Sequence, residues 1–443
     1  MEALLGSLNR GNDVVRYRCA GIGVGPSNLS VASLLHDYRD ISNIFFEKKP
    51  RFSWHDGMQF SESNLQVAIF KDLVTLADPT NSFSFISYLH SQGKIYHFLN
   101  AQFDSVPRRE FSNYLEWACK RNDNIHVAEG VERIEFNNIF TIETTRRRIE
   151  AENICVGVGI EPKIPPFVRQ SMDSTNFHVA DFNLNARNMH RKRIVVVGGG
   201  QSGADTILSL ISGNSGHAPA QVYWISSRDN FLPLDDSPFT NDYFMPCHSN
   251  YFFEQKQQSK KAFVERNILA SDGISERTLR KIYQRIYALR FIDAAPPEVT
   301  LMPDRLVVQS ARDGARWNLV CDHRTTHQNE IVCADIVIWA TGFRPAQMDF
   351  LSPILPRIKR DNEEISIDDE FAAVWDGPSD RCIFMLNAAR GQRGLPDPNL
   401  SLTAWRSQRI IDRIRGLRNT NAVQIPSFIT WAATSAAEKR EAV

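Results

Sequence analysis

One stretch constrains the fold more than any other: Arg193-Ile-Val-Val-Val-Gly198-Gly-Gly200-Gln-Ser-Gly203-Ala-Asp205. A β-branched run passes straight into G-x-G-x-x-G and then into a helix-forming run, Thr206 to Ile211. That order spells strand, tight turn, helix. Gly198 permits the turn, Gly200 lets backbone approach a pyrophosphate, and Gly203 lets the helix pack closely on the strand. The first N–H groups of such a helix have no partner within it and face the phosphates. The competing reading is a glycine-rich αβ turn that binds nothing. The strand and helix on either side favour a dinucleotide site.

A second such turn lies near the N-terminus, at Gly21-Ile-Gly23-Val-Gly25-Pro26-Ser27-Asn28. Gly21 and Gly23 fit the first two glycines. Pro26 takes the place of the third, and proline is tolerated in a first helical turn because its missing N–H costs little there. Val14 to Ala20 reads as the preceding strand, although Arg16 and Arg18 make it less apolar than a central parallel strand should be. Ile44 to Glu47 reads as the next strand, ending in an acid that suits an adenosine ribose; a surface glutamate is the plainer alternative. After the later turn, strand Gln221 to Ile225 ends instead in Ser226-Ser227-Arg228. Hydroxyls and an arginine in that place suit a ribose 2′-phosphate, hence NADPH over NADH, against a solvated loop arginine.

The chain has 443 residues, too many for a typical single domain. The expected architecture is α/β, with two Rossmann-like dinucleotide-binding domains and a smaller, mostly helical substrate-binding insertion. Residues 14–185 form the first part of one domain and 336–416 its second part. Residues 190–230 and 300–335 form the other, 231–299 the insertion, and 420–443 a loosely ordered tail, as 1–13 also are. Helices are expected over Phe111 to Lys120, Phe252 to Asn267, Glu276 to Arg290 and Leu400 to Arg415. A strand is expected from Ile331 to Trp339, and a proline-rich crossover at Pro162 to Pro166.

Lys plus Arg and Asp plus Glu balance at 51 each, which argues against a nucleic-acid partner. No apolar run approaches the roughly 20 residues that span a bilayer, and the N-terminus does not read as a signal peptide. The seven cysteines are scattered without C-x-x-C, which points to reduced thiols in a cytosol and argues against a metal site. Nothing sets the oligomeric state, and a homo-oligomer is open.

Taken together, the motifs resemble those of the flavin-dependent N-hydroxylating monooxygenases of siderophore biosynthesis, nearest the lysine N6-hydroxylase branch, with ornithine N5-hydroxylases further off. The resemblance runs from Gly21 to Arg406. It rests on G-x-G-x-G-P-x-N-L at Gly21 to Leu29, F-x-W-H at Phe52 to His55, and D-P-T at Asp78 to Thr80. Further on are V-V-G-G-G-Q-S-G-A-D at Val196 to Asp205, S-D-G-I at Ser271 to Ile274, A-T-G-F at Ala340 to Phe343 and L-S-L at Leu400 to Leu402. Its most specific part is L-Q-V-x-x-x-K-D-L-V at Leu65 to Val74.

The resemblance implies FAD on the first unit and NADPH on the second. NADPH would reduce the flavin, O2 would add at its C4a, and the resulting hydroperoxide would oxidise a primary amine. The hard chemistry belongs to the cofactor, and the protein positions the reactants and keeps water out. FAD contacts are implied for Gly21, Gly23, Gly25, Pro26, Ser27, Asn28, Glu47, Lys48, Trp54, His55, Gln66, Thr341, Gly342 and Leu400. NADPH contacts are implied for Gly198, Gly200, Gln201, Ser202, Gly203, Ser226, Arg228 and Ala340. Gln66 would be catalytic beside the flavin, and Lys71, Asn241, Asp272 and Ser401 would hold the substrate.

Each role has a plainer counterpart. Gln66 is then a paired buried amide, Lys71 the partner of Asp72 or another acid, and Asn241 a turn residue. Asp272 is a helix cap, and Trp54 with His55 an ordinary aromatic cluster. Ala68-Ile69-Phe70 and Arg393 depart from the family pattern, and Asn241 with Asp272 mixes ornithine-type and lysine-type features. Lysine, ornithine, putrescine, cadaverine and histamine all stay open as substrates. Two other classes compete. A related flavin monooxygenase of carbonyl or sulfur substrates would carry F-x-G-x-x-x-H-x-x-x-[WY], which is not seen. A non-catalytic binding protein on a degenerate flavoprotein fold would not keep both turns intact.

Overall fold

The structure is a computed structural model that describes residues 14–66, 68–186, 189–213, 218–293, 296–361, 364–386, 389–417 and 426–432. Two sheets organise it, one mixed with a parallel centre and one wholly parallel. The first has seven strands, and its centre is Arg16–Ile22, paired in parallel with Asn43–Phe46 on one side and Arg148–Val156 on the other. The long strand Arg148–Val156 changes partner along its length. Its start pairs antiparallel with Ile139–Thr144, and its end pairs in parallel with Ile383–Met385, which arrives from far along the chain. The two arginines of the central strand sit at its open end. Arg16 is exposed and meets Glu152 at 2.8 Å, and Arg18 donates to the Ile414 carbonyl at 2.7 Å. Beyond them Cys19 to Ile22 are buried, as a strand covered on both faces requires.

The second sheet has five strands, in the order Glu298–Met302, Gln221–Ile225, Arg193–Val197, Ile336–Trp339, Asn176–His178, all parallel. Sheet pairing moves two expected boundaries. Asn176–His178 and Ile336–Trp339 belong to this second sheet, although 14–185 and 336–416 assigned them to the first unit. Both strands are fully buried, and neither the short Asn-Phe-His segment nor the all-apolar Ile336–Trp339 carries a mark of which sheet it joins. The expected single strand Ile331 to Trp339 is two. Gln328–Ala334 closes a three-stranded antiparallel sheet with Arg305–Asp313 and Arg316–His323, and Ile336–Trp339 enters the parallel sheet.

The chain crosses between the sheets twice, and both crossings share one ribbon. Ile160–Pro162 and Phe343–Pro345 pair antiparallel, with Arg344 bonded to Glu161 at 2.7 Å. Lys163 N–H donates to the Gly342 carbonyl at 2.9 Å, and Thr341 Oγ1 donates to the Lys163 carbonyl at 2.6 Å.

The insertion is helical, as expected. Its expected helix Phe252 to Asn267 is broken into Pro246–Glu254 and Gln257–Arg266 by extended backbone at Gln255 and Lys256. The bend lets the buried Lys260 donate to the Phe253 carbonyl at 2.7 Å. The tail expectation fails for 426–432, because Trp431 packs on the rings of Tyr243 and His248. The rest of 420–443, apart from those residues, and all of 1–13 lie outside the described residues.

Candidate functional site

Each parallel sheet presents a glycine-rich turn at the carboxyl end of its central strand, followed by a helix: Pro26–Leu35 and Gln201–Ile211. Gly25 and Gly200 are the helix caps. A Cβ at Gly25 would meet only the Gly157 carbonyl at 4.0 Å, and one at Gly200 only the Asp272 carbonyl at 3.8 Å. The space in front of both helix N-termini is therefore open, and an anion there meets unpaired N–H groups and the positive end of the helix dipole.

Behind the first turn, Glu47 accepts from Val24 N–H at 3.0 Å and from Lys49 N–H at 2.9 Å, so its carboxylate already orients the turn. Asn28 stands elsewhere than expected. It is buried, and its Nδ2 donates to the carbonyls of Ile22, Gly23 and Cys155, which ties the turn to the neighbouring strand instead of facing the open side. Ser27 accepts from Arg406 at 3.0 Å, and Arg406 is itself buried against Asp397 at 3.0 Å. Lys48 is exposed beside Gly130, and Leu400 packs against the first unit's core. Trp54 and His55 form an edge-on pair 5.1 Å apart. His55 also meets Phe343, and burial followed by the charges of Arg108 and Lys49 lowers its pKa to about 4. The imidazole is neutral at working pH.

The second turn opens into a cavity of about 1110 Å³ that reaches the first unit and the insertion. Gln66, Lys71, Asn241, Asp272 and Ser401 all line it, with Gly198, Gly200, Gln201, Ser202, Ser226, Arg228, Ala340, Thr341 and Gly342. Residues more than 300 positions apart in sequence, Lys71 and Ser401 among them, are thus brought to one place. Gly203 lies behind the lining, where a Cβ would come within 2.2 Å of the Gly198 carbonyl. The lining carries seven basic side chains (Lys71, Lys163, Arg169, Arg228, Arg305, Arg344, Arg390) against Asp236 and Asp272, so the cavity suits phosphates and carboxylates.

Lys71 donates to Ser401 Oγ at 3.2 Å and stands 5.7 Å from the centre of the Phe244 ring. It makes no ion pair among the described residues. Asp72 is no partner for it, because that buried carboxylate accepts from the N–H groups of Val74, Thr75 and Phe85 and from the Thr75 hydroxyl. Burial pushes the Lys71 ammonium below the usual lysine range. Gln66 donates through Nε2 to Gln201 Oε1 at 3.1 Å. The Gln201 amide is held one way round, its oxygen accepting from Ser275 N–H and its nitrogen donating to Asp205 and Thr278. Gln66 therefore turns its own carbonyl oxygen away from Gln201. Its amide is exposed, not the satisfied buried amide of the plainer reading.

Asp272 lines the cavity with its carboxylate paired to Arg390 at 3.3 Å and accepting from the Ser271 hydroxyl at 2.9 Å, so a substrate amine there would share it with an internal counter-charge. It is not a cap of the next helix, which Ser275 caps. Asn241 ends a helical turn with Nδ2 donating to the Asp236 carbonyl at 2.8 Å. Arg228 donates to the carbonyls of Gly199 and Asp272, and its N–H to Ser226 Oγ, beside the second turn. Arg393 is buried between the Phe253 and Phe371 rings, away from the cavity lining, and burial lowers its pKa to about 10. Phe244, Arg390 and Arg406 escaped sequence reading, since each acquires its place only through partners distant in the chain.

A family model described as L-lysine 6-monooxygenase/L-ornithine 5-monooxygenase matches residues 16–345. L-lysine N6-monooxygenase of Escherichia coli is 36% identical over 415 residues, covering 93% of this chain and 97% of that protein. The chain belongs to the L-lysine 6-monooxygenase/L-ornithine 5-monooxygenase family. Its fold is that of the FAD-bound cadaverine monooxygenase DfoA of Erwinia amylovora, with a TM-score of 0.89 at 22% identity over 95% of this chain and 99% of that one. The Kutzneria sp. 744 ornithine N-hydroxylase KtzI, solved with reduced FAD, NADP+ and L-ornithine, gives a TM-score of 0.84 at 26% identity over 90% and 99%. The resemblance read from the motifs thus holds, as does the α/β fold class. A carbonyl or sulfur monooxygenase and a non-catalytic protein fall outside this family. No described helix is long and apolar enough to cross a membrane, and no described cluster of His, Cys, Asp and Glu could hold a metal.

Proposed function

We propose that this family member uses NADPH and FAD to N-hydroxylate the terminal primary amine of a small amino acid of the lysine type, as a step toward a siderophore. The observation that carries the choice of substrate is Lys71: a half-buried ammonium in the shared cavity with no carboxylate partner among the described residues. A buried lysine calls for an anion. A substrate α-carboxylate supplies one, with Asn241 and the Ser401 hydroxyl alongside. FAD fits the first turn, with its pyrophosphate at the bare N-terminus behind Gly25 and a ribose near Glu47. NADPH fits the second turn, with its 2′-phosphate toward Ser226 and Arg228.

Bound FAD, reduced by NADPH, supplies the activated oxygen from O2. The chain's own part is positional. Lys71 and Ser401 fix one end of the substrate, and Phe244 walls it. Gln66 offers its amide oxygen to the reaction side because Gln201 holds its nitrogen. The amine attacks only when neutral, and the same desolvation that lowers the Lys71 pKa lowers that of a substrate ammonium. The seven unpaired thiols support a cytosolic setting.

The test is a hydroxylamine assay with FAD and NADPH across lysine, ornithine, putrescine, cadaverine and histamine. Lysine should give the product. Lys71→Ala should raise the KM for lysine by about 30-fold to 100-fold, the worth of a charged hydrogen bond, and leave cadaverine nearly unchanged. Equal effects on both amines would remove the carboxylate-anchor role.

A further inference from the structure

Residues 426–432 are far along the chain from the insertion, yet they are seated on it. The Trp431 ring packs against His248 at 4.7 Å, Tyr243 at 5.4 Å and Tyr251 at 6.5 Å between centroids. Ser427 donates to the Asp242 carboxylate, and Ile429 N–H returns to Ser427 Oγ at 2.9 Å. The surface they cover is the back of a wall. Asn241 and Phe244 face the cavity, while Asp242 and Tyr243, between them in sequence, meet the segment.

That wall is thin. Its buried apolar cluster consists of Phe244, Ala270 and Leu395, with Tyr243, Phe263 and Val264 packed against it. Three buried side chains give little rigidity by themselves, since a core residue is normally fixed by many neighbours. An aromatic ring the size of tryptophan buries roughly 150–250 Å² and brings its own preferred ring geometry. Trp431 is half-buried, while its neighbour Phe428 is fully exposed, so the segment commits one ring to the wall and leaves the other in solvent.

We propose that residues 426–432 form a strap that sets amine binding by holding Asn241 and Phe244 in place, with Trp431 as the positioning residue. This rests on the amine-hydroxylase reading above. Phe244 is the ring beneath Lys71, so a strap that lets go alters the wall beside the anchor and admits water. It touches neither glycine-rich turn, so FAD binding and flavin reduction by NADPH are outside its reach.

The experiment compares Trp431→Ala, Trp431→Phe and Phe428→Ala in the full-length holoenzyme. It reads KM for lysine, hydroxylamine formed per NADPH, FAD content, NADPH oxidation without amine, and amide hydrogen exchange over residues 242–254. Trp431→Ala should raise the lysine KM by about tenfold, lower the coupling ratio and speed exchange in 242–254. FAD content and amine-free NADPH oxidation should stay at wild-type values. Trp431→Phe should recover most of the loss, and Phe428→Ala should match wild type. If the alanine variant fails to fold, Trp431→Leu keeps an apolar group of smaller area and gives the same readings. An unchanged lysine KM together with unchanged exchange overturns the strap. Wild-type protein that makes no hydroxylamine from lysine, ornithine, putrescine, cadaverine or histamine overturns the amine reading instead, and the exchange rates alone then decide whether the segment holds the wall.

Discussion

The two glycine-rich turns solve one problem with different parts. Both must bend sharply after a buried strand and expose a helix N-terminus. In the later turn, Gly203 packs so close that its Cα hydrogen faces the Gly198 carbonyl, and the Trp224 indole N–H bonds that carbonyl at 2.8 Å. In the earlier turn the third glycine is Pro26, and a side chain takes over the stapling: Asn28 Nδ2 bonds the Gly23 carbonyl at 2.7 Å. The strand ends differ as well. Glu47 closes the first unit with a negative charge and also accepts from the turn, whereas Ser226 and Arg228 close the second with hydroxyl and guanidinium. The turn geometry is thus indifferent to its parts list, while the charge at the neighbouring strand end is what differs between the units to which we assign FAD and NADPH.

Four measurements press on that contrast. The largest effect belongs to Gly203→Ala, where the added Cβ meets backbone that cannot yield. The apparent KM for NADPH should rise about 100-fold or more with FAD content unchanged; an equal loss of both cofactors would mean that the turns are not independent. Next is Arg228→Ala, expected to raise the NADPH KM by about 30-fold and to leave NADH almost untouched. A parallel loss with NADH would take Arg228 away from the 2′-phosphate. Glu47→Gln should weaken FAD by about tenfold, and titration of the apoprotein checks it; unchanged affinity would leave Glu47 as a turn brace only.

The smallest effect concerns the region between the turns. His178 bonds the Gly342 carbonyl at 3.1 Å and His55 meets Phe343, and burial lowers each pKa to about 4. Both stay neutral in the folded state while the unfolded chain binds protons below about 6.5. Stability therefore falls as pH drops from about 6.5 toward 4, by roughly 1 kcal/mol per histidine near pH 6. A melting temperature flat over pH 7 to 5 would contradict that environment.

What the sequence revealed follows from where the constraint lies. Gly198 and Gly203 were readable because a side chain at either would run into backbone within 2.2 Å. The Pro162 to Pro166 crossover was readable from its composition. The antiparallel sheet from Arg305 to Ala334 was not, since its first strand buries little beyond Val307 and so lacks a clean alternation. Lys71, Ser401 and Gln66 were singled out through a family motif, and the fold brings all three to one cavity. The arginine that pairs with Asp272 was not legible, because the S-D-G-I pattern contains nothing of Arg390, which lies 118 residues on. Trp431 was invisible for the same reason: its partners are in the insertion, and the small and apolar residues around it show no periodicity to read.

The shared ribbon of Ile160–Pro162 and Phe343–Pro345 has a mechanical consequence. Two separate tethers would let the nucleotide units splay, slide and tilt independently. Hydrogen-bonded together, and braced by Arg344 on Glu161, they act as a single pin. The two chain crossings are therefore held at one place by backbone pairing, and the Gln66–Gln201 bond at 3.1 Å ties the first unit to the second beside the same cavity.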